Sequence, residues 1–115
     1  MNIKQLAEEN IFTLLNMGEN EQQEIKKPFC CDLLSICMSR MPRDAAWVTV
    51  MGNINTLAVL SLTDAACIVL AENAVFDEPA LEKAKQEKIT VFRTELPVFE
   101  AALAIEKKLH DFTDL

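Results

Sequence analysis

From residue 28 onward, the sequence alternates between short apolar runs and segments with helical periodicity. Strands that alternate with helices form mostly parallel sheets, because each helix carries the chain back to the edge where the next strand begins. The pattern therefore predicts an α/β fold with a mostly parallel sheet and repeated strand-helix units. The predicted strands of this part of the chain cover residues 29–31, 47–51, 67–71 and 90–93.

The N-terminal part is expected to add one helix and one strand. Asn2 is placed to cap a helix over residues 3–9, and Gln5 is placed to return a capping hydrogen bond. Residues 11–16 are typical of a strand, and the polar residues 18–24 predict an exposed connection. With 115 residues, half of them hydrophobic, the chain has the size and composition of one folded domain. We expect residues 1–115 to form a single small α/β domain.

The predicted helix that follows Asp77 has the clearest start signal. Asp77 is a favourable N-cap, and Pro79 loses no hydrogen bond in the first turn. Leu81, Ala84 and the stem of Lys88 are expected to face the core.

Two other predicted helices suggest self-association. The helix over residues 55–62 is apolar nearly all round, which predicts burial on more than one side. The helix over residues 97–111 carries an apolar stripe that Phe99 and Leu103 widen. In a domain this small, both features favour a homodimer. The alternative is that both helices complete the core of a monomer.

The charge balance excludes several classes of partner. Acidic residues outnumber basic ones by 18 to 11, which gives a formal net charge of -7. This excess argues against nucleic acid and anionic membranes, since both are bound through Lys and Arg. Residues 1–10 carry charges and no apolar run, so no secretory signal is predicted. The most apolar stretch, residues 56–71, is shorter than the roughly 20 residues that span a bilayer. We therefore expect a cytoplasmic protein.

Four cysteines in a chain without an export signal are expected to stay free and to behave as small buried hydrophobes. Cys30 and Cys31 are adjacent, and adjacent residues of a strand point to opposite faces. Cys37 falls inside a predicted helix over residues 33–41. The sequence has no CxxC pair, and its single His110 lies far along the chain, so no metal site and no cofactor is predicted. A reactive thiol at Cys31 or Cys37 stays open as an alternative.

Polar residues follow the predicted strands at the edge where open α/β sheets bind ligands. The strongest candidate is the stretch over residues 52–56, where one of only two glycines stands beside two amides and a hydroxyl. The alternative is a turn followed by an Asn N-cap, which uses the same residue types. Glu72, Asn73 and Glu95 also follow strands. The predicted ligand-binding residues are Asp32, Gly52, Asn53, Asn55, Thr56 and Thr94.

Apolar blocks with a few polar positions run in order through almost the whole chain. They comprise DLLS at 32–35, AWVTV at 46–50, NI at 53–54, AV at 58–59, ACIV at 66–69 and ITVF at 89–92, with Leu62, Glu78, Ala84 and Thr94. This series resembles the small stand-alone DRTGG-domain proteins. The resemblance implies an α/β module, often dimeric, of the kind that occurs as a regulatory piece beside CBS domains in some pyrophosphatases and in phosphotransacetylases.

The sequence departs from this family at the ends of the strands. The family's charged and glycine-bearing motifs are replaced here by GNIN at 52–55 and AENA at 71–74, and the signature that names the family is absent. An Asn-rich turn offers neutral donors and Glu72 would repel an anion, so these two strand ends do not predict phosphate binding.

No serine stands in a hydrolytic motif with histidine, so we do not expect an enzyme. We predict a regulatory or scaffolding module that forms a homodimer, acts through a protein partner and binds a small molecule at the carboxyl ends of the strands. Two alternatives stay open. The chain could be a purely structural interaction subunit without a ligand, or a thiol or metal redox protein that uses Cys31 or Cys37.

Overall fold

The computed structural model describes residues 1–113. One five-stranded sheet and five helices make up this part of the chain. The strands are β1 (Thr13–Asn16), β2 (Lys27–Cys30), β3 (Ala45–Thr49), β4 (Cys67–Leu70) and β5 (Val91–Arg93). The helices are α1 (Ile3–Glu8), α2 (Leu34–Arg40), α3 (Ile54–Ser61), α4 (Glu78–Glu87) and α5 (Val98–Thr113).

The order of the strands in the sheet is β1-β5-β4-β3-β2. Strands β2 to β5 run parallel and each lies beside the next one in the sequence, whereas β1 pairs with β5 in the antiparallel direction. The prediction of a mostly parallel α/β fold is therefore confirmed. Because the crossovers between the parallel strands all step in the same direction, right-handed connections place α2, α3 and α4 on one face of the sheet.

Each face of the sheet has its own apolar core. Side chains alternate between the two faces along a strand. In β3, Trp47 therefore packs under α2, α3 and α4, whereas Ala46 and Val48 pack under α1 and α5. The core under α2, α3 and α4 also contains Ile68, Leu70, Val91, Leu57, Leu60, Ala80 and Ala84. The core under α1 and α5 also contains Val69, Phe92, Ile3, Leu6, Ala101 and Ile105.

The predicted helices and strands are present, with ends within about two residues of the prediction. The capping box of α1 is confirmed, because Asn2 Oδ1 accepts a hydrogen bond from the Gln5 N–H at 2.8 Å and Gln5 Oε1 accepts one from the Asn2 N–H at 2.8 Å. The N-cap of α4 is also confirmed, because Asp77 Oδ1 accepts from the Ala80 N–H at 2.8 Å.

The middle position of α3 in its layer explains its composition. It contacts α2 on one side and α4 on the other, and it covers the sheet with its third side. Its apolar character is therefore satisfied within one chain, and the partner subunit inferred from it is not needed. Large apolar side chains are exposed at its two ends, where Ile54 is 45% and Leu62 is 73% exposed.

Helix α5 crosses the other face and contacts β2 and β3. Its inner side chains, Ala101, Ile105 and Leu109, are buried. Its outer flank exposes Phe99 and Leu103. The apolar flank expected on this helix is therefore present and is not part of the core. No helix within residues 1–113 combines the length and the apolar character needed to cross a membrane.

The connection over residues 18–24 packs against the amino ends of β4 and β5. Asn20 Nδ2 donates to the Ala66 carbonyl at 2.8 Å, and the buried Thr90 hydroxyl donates to Asn20 Oδ1 at 2.9 Å. The Gly18 N–H donates to the same Thr90 hydroxyl at 2.9 Å. The prediction of an exposed connection is therefore wrong for Asn20. The local sequence did not indicate these contacts, because the partners of Asn20 are distant along the chain.

The end of α4 packs tightly against the same connection. A Cβ atom on Gly18 would lie 2.0 Å from the Lys88 carbonyl oxygen, so a larger residue does not fit there. Lys88 ends α4 in the left-handed conformation, with φ of 60°, and its ammonium group lies 2.6 Å from the Glu19 carboxylate. The prediction that its stem faces the core is therefore wrong.

Candidate functional site

The predicted site residues fall into two groups at the carboxyl edge of the sheet. Asp32 and the turn over residues 52–56 follow the neighbouring strands β2 and β3, whereas Thr94 follows β5. Because β4 lies between β3 and β5, the turn after β3 is two strand spacings, or about 10 Å, from the end of β5, and Asp32 after β2 is one spacing further. The structure therefore places the six residues in two separate locations.

Asp32 ties the ends of β2 and β3 together. Its Oδ1 accepts hydrogen bonds from the Thr49 hydroxyl at 2.6 Å and from the Val50 N–H at 3.0 Å. Thr49 is fully buried, and its hydroxyl also accepts from the Met51 N–H at 3.2 Å. This carboxylate oxygen therefore satisfies a buried hydroxyl group.

The turn over residues 52–56 builds the start of α3. Asn53 Oδ1 accepts a hydrogen bond from the Thr56 N–H at 3.2 Å, so Asn53 is the N-cap, and Thr56 is almost fully buried. A Cβ atom on Gly52 would lie 2.1 Å from the Val75 carbonyl oxygen, so glycine lets the turn pack against the loop before α4. These contacts match the alternative interpretation of this stretch, a turn with an Asn N-cap.

A cleft of about 700 Å³ lies at the carboxyl end of β5. Its walls come from the turn between α1 and β1, the loop after β4, and the end of β5 with the loop that follows. This volume is within the range of small-molecule sites. We call it the β5 cleft and define it by its polar lining residues Asn10, Thr13, Asn73, Arg93, Thr94 and Glu95.

Backbone hydrogen bonds fix the walls of the β5 cleft. The Asn73 N–H donates to the Thr94 carbonyl at 2.8 Å, and the Glu72 N–H donates to the Leu96 carbonyl at 2.9 Å. The nearly buried Thr94 hydroxyl accepts from the Leu96 N–H at 3.2 Å. Glu72 and Asn73 are both left-handed, with φ of 60° and 51°. Because this conformation is unfavourable for a residue such as Glu72, the contacts with the β5 loop must hold it.

Arg93 is a cleft residue that the sequence pattern did not indicate. It is the last residue of β5 and lies opposite Thr13 in the antiparallel pair with β1, so both side chains are on the same face. Its guanidinium group makes no ion pair and no hydrogen bond within residues 1–113. An arginine directly after the buried residues Val91 and Phe92 was the available signal.

The four cysteines divide by their exposure. Cys37 and Cys67 are buried, Cys31 is half-buried and Cys30 is exposed. The expectation of buried thiols is therefore right for Cys37 and Cys67 and wrong for Cys30, which lies at the end of the edge strand β2. Within residues 1–113, no group of three Cys, His, Asp or Glu side chains is placed to hold a metal ion.

Burial raises the pKa of the inner thiols. The pKa of Cys67 rises to about 12 because the side chain is fully enclosed. The pKa of Cys37 rises to about 12 through burial and, second, through a hydrogen bond with the Cys31 side chain. Partial desolvation and the nearby Asp32 carboxylate also raise the pKa of Cys30. Protonated thiols are poor nucleophiles, so these shifts disfavour redox chemistry at Cys37.

The fold has a counterpart among solved structures, whereas no family model and no curated protein matches the sequence. The chain is similar to the CBS and DRTGG domains of the regulatory region of Clostridium perfringens pyrophosphatase, in a crystal structure with the activator diadenosine tetraphosphate. The TM-score is 0.65 at 15% sequence identity, and the match covers 78% of this chain and 39% of that chain. The fold is therefore of the DRTGG and CBS type, in agreement with the resemblance in the sequence.

The role of Asp32 can be tested by its effect on stability. Asp32→Ala should lower the free energy of unfolding by about 1–3 kcal/mol, because the buried Thr49 hydroxyl loses its acceptor. Urea unfolding followed by the fluorescence of Trp47, the single tryptophan, measures this loss. Asp32→Asn is the matched control, since its amide oxygen can still accept both hydrogen bonds. Equal losses in the two variants would contradict this role.

The N-cap of α3 gives a second comparison. Asn53→Ala should lower the free energy of unfolding by about 1 kcal/mol, because the Thr56 N–H loses its acceptor. Asn55→Ala should leave it unchanged, since the Asn55 side chain is exposed and makes no hydrogen bond within residues 1–113. The same urea titration measures both. A similar loss for Asn55→Ala would show that the cap is assigned to the wrong residue.

The thiol environments predict a labelling pattern. At neutral pH, iodoacetamide should modify Cys30 and Cys31 in the folded protein and should reach Cys37 and Cys67 only after unfolding, as peptide mapping by mass spectrometry can show. Fast labelling of Cys37 in the folded protein would restore the redox alternative.

The raised pKa of Cys67 has a consequence for stability at high pH. Between pH 9.0 and about 12, the unfolded chain releases the Cys67 proton while the folded chain keeps it. The free energy of unfolding should therefore fall as the pH rises through this window. The Cys67→Ala variant should show a shallower fall, and an identical pH dependence in both proteins would contradict the assignment.

Proposed function

We propose that this chain is a non-enzymatic regulatory module in the cytoplasm that responds to a small molecule and acts through self-association and a protein partner. The observation that carries this proposal is the fold that it shares with a regulatory region crystallised with its activator. The β5 cleft supports the ligand-sensing part, because it gathers polar groups at the edge where α/β sheets bind ligands.

The outer flank of α5 supports the self-association part. Phe99 is 69% exposed, Leu103 is 37% exposed one turn later, and Leu96 precedes them with 38% exposure. Adjacent exposed apolar side chains commonly mark interaction surfaces. The buried stripe of Ala101 and Ile105 lies on another side of the helix, so the flank is not needed for the core. A second copy of the chain that presents the same flank would cover it in a two-fold arrangement.

The two alternative functions make different demands on the molecule. A purely structural interaction subunit would use the α5 flank and leave the β5 cleft without a ligand. A thiol redox protein would need a reactive Cys31 or Cys37, and the raised pKa of Cys37 works against that requirement. Ligand binding in the cleft therefore separates the regulatory module from the structural subunit, and fast labelling of Cys37 in the folded protein would favour the redox protein.

Self-association can be measured by light scattering after size-exclusion chromatography. At micromolar concentration, the unmodified protein should have twice the monomer mass. The double variant Phe99→Glu, Leu103→Glu should be a monomer, because like charges would face each other across the two-fold interface. Leu62→Glu is the control, since Leu62 is 73% exposed but lies at the end of α3 on the other face.

Circular dichroism should show the same helix content in all three proteins, because every substituted side chain is exposed. A monomeric unmodified protein would contradict the proposed self-association. A monomeric Leu62→Glu variant, with the α5 variant still dimeric, would move the interface to the other face of the sheet.

A further inference from the structure

We propose that the β5 cleft binds a small organic anion whose phosphate or carboxylate group pairs with Arg93. This inference rests on the ligand-sensing part of the proposed function, and it names the class of ligand and the residue that recognises it. It does not depend on self-association through α5.

Arg93 differs from the other cationic side chains of the chain. Of the 11 Lys and Arg residues, all within the described range, six form ion pairs with carboxylates. Arg93 is half-buried, and within residues 1–113 it is the only half-buried cation without an ion pair. A guanidinium group that has lost water without gaining a partner costs free energy, which a bound anion would offset. The remaining cations without an ion pair are exposed: Lys4, Lys27, Arg40 and Lys107.

The groups around Arg93 suit an oxyanion. The planar guanidinium group donates two parallel hydrogen bonds to a phosphate or a carboxylate. Thr13 lies directly opposite Arg93 and brings a hydroxyl group, and Asn10 and Asn73 bring side-chain amides to the same cleft. These neutral groups can hold further oxygen atoms of the ligand without adding charge. The cleft therefore offers one strong contact for an anion and several weaker ones.

Glu95 constrains the remainder of the ligand. It lines the cleft, is exposed, and forms no ion pair with Arg93 or any other described residue. A carboxylate accepts hydrogen bonds and repels an anion. The ligand should therefore direct hydroxyl or amine groups towards Glu95 and its anionic group towards Arg93. A cleft of about 700 Å³ accommodates an organic molecule with both kinds of group.

The acidic net charge of the chain does not oppose this binding at physiological salt. Interactions between exposed charges are largely screened beyond about 8 Å under these conditions. An anion in the cleft therefore responds chiefly to Arg93 and Glu95, which line it, rather than to the formal charge of -7 spread over the surface.

The test uses three probes, titrated separately into the isotope-labelled full chain and followed by amide chemical shifts. Adenosine 5′-monophosphate carries a phosphate, citrate carries carboxylates, and adenosine is the uncharged counterpart of the first probe. At millimolar concentration, at least one of the two anions should shift the amide signals of Thr13, Asn73, Arg93 and Glu95, whereas adenosine should leave them unchanged. The tighter of the two anions identifies phosphate or carboxylate as the preferred group.

Charge variants then test the role of Arg93. Arg93→Gln should weaken binding of the anion by roughly 10- to 100-fold, as expected for the loss of a charge-assisted contact. Arg40→Gln is the matched control, since it removes an exposed guanidinium group in the last turn of α2 and should leave binding unchanged. Glu95→Gln should strengthen binding several-fold, because a repulsive charge is removed.

Three binding outcomes would overturn the proposal: no shift of the cleft amides with either anion, equal binding by Arg93→Gln and Arg40→Gln, or shifts confined to residues 52–56. The last outcome would leave the ligand-sensing function intact at the end of β3, two strands away along the same edge of the sheet. The urea midpoint of Arg93→Gln should not fall, since Arg93 has no partner within residues 1–113 to lose. A large fall would show that Arg93 is structural, which also overturns the proposal.

Discussion

The order of the parallel strands is the constraint on which the rest of this fold depends. Strands β2 to β5 lie side by side in the order of the sequence, so every crossover steps the same way and α2, α3 and α4 share one layer. Helices α1 and α5 must then cover the other face, and α3 must be apolar on three sides. A doubly wound sheet would instead open its ligand crevice where the crossovers change direction, and β2 to β5 contain no such point.

The antiparallel strand β1 determines where a cleft forms instead. Because β1 runs against β5, its first residue lies at the same edge as the last residue of β5, which places Thr13 opposite Arg93. The turn from α1 arrives at this corner, and the loops after β4 and β5 leave from it. Three separate chain segments therefore meet there, and backbone hydrogen bonds join the loops after β4 and β5.

Local signals in the sequence predicted those features whose partners are close along the chain. Asp77 caps the helix that follows it, whereas Asn20 bonds to Thr90 across 70 positions, which no local pattern shows. The polar residues at the strand ends are ambiguous for the same reason. Asn53 suits either a ligand or a helix cap, and its contact with the first turn of α3 supports the cap. An arginine at the end of the apolar run ITVF was a weak signal for Arg93, and its lack of a partner within residues 1–113, which distinguishes it from the other cations, is visible only in three dimensions.

The β5 cleft and the proposed interface share one short segment of chain. Leu96 accepts a hydrogen bond from the loop after β4 and donates one to Thr94, and Phe99 follows three residues later in the first turn of α5. An anion that orders this segment would also fix the start of the exposed flank. If the anion strengthens self-association by a given factor, thermodynamic linkage requires that self-association strengthens anion binding by the same factor. The coupling free energy cannot exceed the difference in the affinity of the anion for the ordered and the disordered segment. A flank that is already rigid without a ligand would therefore leave the cleft and the interface independent.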